Sequence, residues 1–141
     1  MFSFFKEGPI DRRSRKLLFD FLGEMERNME SFYVMDQRQF ITAGFLTETW
    51  APVKDMDIIK SHESIALYAR ATEDFNLSLK AYKDFEAWYT GNTEHKTQEN
   101  SKKLHALKHE LDLKLKAYEA VIIPAGQDLE REMLKLGLLK A

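Results

Sequence analysis

Apolar residues recur along this chain at the three- and four-residue intervals of a helix rather than in the alternation of a strand. Leu17, Leu18, Phe21, Leu22, Met25, Met29 and Phe32, and further on Phe40, Leu46 and Trp50, keep one phase at helical pitch. That phase predicts a helix over about residues 11–50, with Asp11 as its N-cap and Pro52 closing it. The strand-prone "SFYVM", together with Gly44, makes residues 33–47 the stretch where this helix would break.

A second helix is expected over about 53–90, opened by Pro52. Its early stripe, Ile58, His62, Ile65, Ala66 and Ala69, is out of phase with its later one, Phe75, Leu79, Tyr82, Phe85 and Tyr89. The offset exceeds the drift of about 20° per heptad of a straight helix. Either the helix bends near "RATEDF", or its two halves face different neighbours. "TGNT" at 90–93 is the clearest turn, with Gly91 to end one helix and Thr93 to start the next. Leu104, Leu107, Leu111, Leu115, Tyr118 and Ile122 then form the narrow stripe of a third helix over about 94–123. Pro124 and Gly126 are expected to interrupt it, leaving a short amphipathic fourth over about 125–139, ended by Gly137.

The fold expected is thus all-α: an up-and-down antiparallel helical bundle, three long helices plus a short C-terminal fourth, in a single domain of residues 1–141 with an N-terminal segment at 1–10. Only six Gly and three Pro occur, which agrees with few turns and long helices. A truncated fourth helix leaves part of a groove open, which suits a second copy or a partner helix.

Composition narrows the chemistry. The charge of −2, from 21 basic and 23 acidic residues, gives no global attraction for nucleic acid, and none is expected as a partner. The chain has no cysteine, which removes disulfides, thiol catalysis and thiolate-bound zinc. No apolar run approaches the roughly 20 residues of a bilayer span, and a cytoplasmic location is the default expectation.

Four groups of residues have the chemistry of candidate sites. His105, His109 and Asp112 share a helix face at metal-ligand spacing, but that face points away from the leucine stripe and carries Lys102 and Lys116. A solvated surface is the preferred reading there, and no cofactor is expected. Asp36 and His62 each fall inside an apolar stripe, where a polar group needs a partner. A contact between them would form a polar ligand or metal site, or a buried pair that fixes helix register. The N-terminal Phe2, Phe4 and Phe5 precede Arg12, Arg13, Arg15 and Lys16, an arrangement able to meet an anionic membrane surface. These four cations also oppose the helix dipole, a small penalty that hints at a use. Phe85, Trp88 and Tyr89 form an aromatic group suited to packing one end of the bundle.

No Glu-x-x-His, nucleophile elbow or phosphate-binding glycine loop is present. The function expected is that of a non-enzymatic helical interaction or adaptor protein that forms a homodimer or receives another helix. A ligand- or metal-binding bundle centred on Asp36 and His62 is the alternative, and a peripheral membrane protein the third reading.

Overall fold

A computed structural model describes residues 11–34 and 44–140. Among them the architecture is an all-α helical bundle without strands. Its elements are α1 (Arg12–Val34), a single turn α2 (Asp57–Lys60), α3 (Glu63–Thr90), a 3-10 turn (Thr93–His95) and α4 (Gln98–Lys135). Asp36, Phe2, Phe4 and Phe5 lie outside the described residues.

Local signals act largely where the pattern placed them. Asp11 caps α1 as expected: the Ser14 amide donates to its Oδ1 at 2.7 Å. That bond to the ionised form holds the Asp11 carboxyl below its usual range. Gly91 ends α3, although in a right-handed conformation that other residues adopt freely. The next start is displaced from Thr93: Asn92 caps the 3-10 turn, and Thr97 caps α4 by accepting from the Asn100 amide. At the far end the Leu138 amide reaches back to the Met133 carbonyl at 2.8 Å, with Gly137 at φ +76°. This is a Schellman turn, whose left-handed position glycine occupies without strain.

Helices α3 and α4 are antiparallel, joined by the short 91–97 turn. Ser64 meets Asp128 at one end, and Tyr82 lies beneath Lys108 towards the other. Helix α1 is also antiparallel to α4, for Asp11 and Ser14 line a cavity with Glu132 and Leu136, while Phe32 meets Tyr118. The core between them is formed by Leu18, Phe21, Met25, Ile65, Phe75, Tyr118, Ile122, Leu129 and Met133, all 2% exposed or less.

Three expected boundaries are corrected. Pro124 does not end a helix; α4 runs through it for 38 residues. Interior proline costs about 3 kcal/mol. Ile122, Ala125, Leu129 and Met133 are all buried on one stripe across that point, and each large side chain contributes about 1.5–3 kcal/mol by leaving water. Continuity therefore outweighs the proline. The expected fourth helix is the last part of α4.

The first helix does not reach Trp50. Residues 44–56 are irregular or in turns; Trp50–Met56 close backbone turns, while backbone groups of Phe45, Leu46, Glu48 and Thr49 bond to side chains of the neighbouring helices. The Asn76 amide clamps Phe45, accepting from its N–H and donating to its carbonyl, both at 2.9 Å. Asn28 clamps Leu46 in the same way, also at 2.9 Å, and donates to the Tyr68 hydroxyl. The Glu24 carboxylate accepts from the Glu48 and Thr49 amides and from the Thr49 hydroxyl. Gly44, at φ +73°, lets the chain enter this clamp: a Cβ there would sit 2.8 Å from Asn76 Oδ1. Phe45 is thereby inserted between Phe75 and Tyr118, stacked on the latter at 4.0 Å.

The second helix is likewise shorter than expected, with Val53–Ser61 folded as turns and the separate α2. Its phase change has a simple origin. Ile65, Tyr68, Ala69, Thr72 and Leu79 are buried in the first part of α3, whereas no described residue from Lys80 to Glu110 is fully buried. The first part faces several neighbours; among the described residues the second part pairs with α4 and the 93–95 turn, as a two-helix arm.

Candidate functional site

His62 stands immediately before α3, in extended conformation, and no bond from its side chain caps the helix. Its Nε2 is instead 3.0 Å from Glu132 Oε1, and its Nδ1 is 3.8 Å from Asp128 Oδ2. The two carboxylates are four residues apart, so α4 presents them side by side. Ser64 donates to Asp128 Oδ2 at 2.5 Å, Arg131 donates to Asp128 Oδ1 at 2.7 Å, and Lys135 lies 3.5 Å from Glu132. The sequence pointed to His62 but not to these partners, because the carboxylates lie 64 to 70 residues from the Ser64 and His62 side chains they bond.

Serine, histidine and aspartate meet here without forming a nucleophilic triad. Activation requires the hydroxyl proton to point at the imidazole, and Ser64 gives it to Asp128. The group ties the start of α3 to the end of α4. The Ser64 hydroxyl is the main cause holding the Asp128 carboxyl low, and the His62 hydrogen bond is the main cause for Glu132. A carboxylate whose folded pKa is depressed contributes stability above its unfolded pKa of about 4 and loses it as the pH falls through the folded value. The double variant Asp128→Asn/Glu132→Gln is therefore expected to be less stable than the parent at pH 7. About 1 kcal/mol is expected for such partly exposed groups. Thermal unfolding across pH should show the gap closing below about pH 4. A gap that persists at acid pH would mean that packing, not charge, holds this junction.

His105, His109 and Asp112 are exposed on α4. Among the described residues no group of three or more His, Cys, Asp or Glu is placed to hold a metal ion. Arg12, Arg13, Arg15 and Lys16 are exposed on α1, and Lys16 pairs with Asp20 at 3.0 Å. No helix among the described residues is long and apolar enough to cross a membrane. At the arm tip Trp88 stacks on His95 at 3.8 Å, and Lys103 sits 4.9 Å from the centre of the Phe85 ring. The sequence placed little basic charge near these aromatics; the fold brings it from α4.

Part of the exposed apolar surface lies on α1 and the adjoining part of α4. Phe19, Leu22, Glu26, Met29 and Tyr33 recur at three- and four-residue intervals and share one face; on α4, Ile123, Gly126, Gln127, Glu130 and Leu134 do the same. A groove of about 170 Å³ runs between these faces over Leu22, Met25, Met29, Ile122, Ile123 and Gly126, with Glu26 and Glu130 beside it. Phe19, Tyr33, Ile123 and Leu134, all above 40% exposure, flank it. Comparison with protein-family models, with curated proteins and with solved structures found no match to this chain.

Proposed function

We propose that this is a non-enzymatic helical interaction protein that pairs with a second copy of itself through the outer face of α1. The observation that carries the reading is the self-complementary order of that face. Arg12, Lys16, Phe19, Gly23, Glu26 and Glu30 succeed one another at intervals of three or four, so they share one surface. Cations stand at its start and carboxylates at its end. Turning a second α1 antiparallel about the level of Phe21 sets Arg12 against the second Glu30 and Lys16 against the second Glu26. Each Phe19 ring then lies over the opposing Gly23. Among the described residues only its own Arg27 approaches Gly23, at 3.5 Å from where a Cβ would be. This is the isologous contact of a two-fold dimer, in which every pairing occurs twice. It also gives a use to Arg12 and Lys16, two of the N-terminal cations that oppose the helix dipole.

Sedimentation equilibrium tests this. The parent chain is expected to show a monomer–dimer equilibrium that weakens with salt. Glu26→Lys/Glu30→Lys is expected to be monomeric, because it sets like charges against Arg12 and Lys16. Adding Arg12→Glu/Lys16→Glu to the same chain should restore the dimer, which a folding defect cannot imitate. A parent chain that stays monomeric at about 0.5 mM, well above the concentration a specific interface needs, overturns the reading. So does a charge-reversed variant that dimerises like the parent.

A further inference from the structure

A larger cavity lies elsewhere, between the clamped 47–54 segment and α3. It has a volume of about 800 Å³, within the range of small-molecule sites. Trp50, Ala66, Ala69 and Leu77 supply apolar wall, and Lys54, Arg70 and Lys80 supply positive charge against the single acid Glu73. Lys80 is paired with Asp84 at 2.8 Å. Lys54 and Arg70 have no ion-pair partner among the described residues. A chain with net charge −2 thus gathers an excess of cations along one cleft.

The construction of the cleft adds a second argument. Its outer wall is non-helical chain, held in place by buried Glu24 and Asn28 and by Asn76. Buried polar groups are costly unless satisfied, and once satisfied they hold one geometry. A plain helix packed on α3 would cover the same core without them. The wall is a preorganised surface, which reduces the ordering cost of binding.

We infer that this cleft binds a small anionic molecule with an apolar ring, its phosphate or carboxylate head met by Lys54 and Arg70 and its ring laid against Trp50. Phenyl phosphate and phenylacetate are suitable probes, since they share the ring and differ in the head. The chain has two tryptophans, and Trp88 lies on the arm, so Trp88→Phe leaves Trp50 as the sole reporter. In that background at least one probe is expected to change Trp50 fluorescence saturably, with Kd on the order of 1 mM for so small a ligand. The tighter of the two identifies the head. Lys54→Glu/Arg70→Glu should weaken binding about tenfold or more, equivalent to about 1.4 kcal/mol. Lys102→Glu/Lys116→Glu, on exposed α4 positions, should leave it unchanged. Circular dichroism confirms that each variant is folded. The inference fails if neither probe saturates at about ten times that concentration. It fails equally if the two double variants weaken binding alike, or if inorganic phosphate alone reproduces the fluorescence change.

Discussion

Replacing Tyr118 with alanine is expected to destabilise the protein by about 4 kcal/mol, whereas phenylalanine at the same position should stabilise it by about 1 kcal/mol. The ring is fully buried, stacks on Phe45 and lies within 5.4 Å of Phe32 and 6.0 Å of Tyr68, centre to centre. Truncation opens a cavity among these aromatics that a close-packed core closes only in part. The hydroxyl is a separate matter: it is buried with no hydrogen-bond partner among the described residues. Burial is the main cause pushing its pKa upward, so the phenol stays neutral. Phenylalanine removes the unsatisfied group and keeps the ring. Urea unfolding followed by far-ultraviolet circular dichroism measures both variants. A phenylalanine variant less stable than the parent would show that the hydroxyl makes a bond in solution.

The next largest loss is expected from Asn28→Leu, at about 3 kcal/mol. Leucine shares the γ-branched shape and suits a helix better, so propensity would favour the exchange. The cost comes from the groups left behind. The Leu46 N–H and carbonyl and the Tyr68 hydroxyl all bond to the Asn28 amide, which is 2% exposed. Burial already pushes the Tyr68 pKa to about 12, so its hydroxyl remains a neutral group in need of a partner. Because the 44–50 segment loses one clamp, its amides should also exchange with deuterium faster, while those of α4 stay protected. Stability equal to the parent, with unchanged exchange at Leu46, would show that Asn76 and Glu24 hold the segment without Asn28. The same variant should weaken aromatic-anion binding, since Trp50 belongs to the wall that this clamp fixes.

These two residues show where a reading of the chain alone reaches its limit. Tyr118 was legible as part of a leucine-rich stripe, because its burial follows from helical phase. Asn28 was not, for nothing in its neighbourhood distinguishes it from a solvated polar residue. Its partner Leu46 is 18 residues away, Asn76 and Phe45 are 31 apart, and Glu24 and Thr49 are 25 apart. The apolar phase expected from Leu17 to Trp50 held over α1 but not beyond it: it placed Leu46 inward, whereas Leu46 is exposed and Phe45, which it left out, is buried. Leu18, Phe21 and Met25 enter the core by helical phase, and Phe45 enters the same core from an irregular segment to which that phase does not apply. His62 illustrates the same limit: its need for a partner was readable, but the partner proved to be a pair of carboxylates on α4.

The order of residues by itself determined the all-helical class, the caps at Asp11 and Gly137, the turn after Thr90 and the outward placing of His105, His109 and Asp112. Each depends on phase or on a bond within a few positions. Tertiary structure decided that the chain leaves the helix before Phe45, that α4 continues through Pro124, and which groups meet at His62 and in the cleft beside Trp50. The reason is energetic: side chains brought from distant positions offer bonds and burial larger than the local preference they overrule.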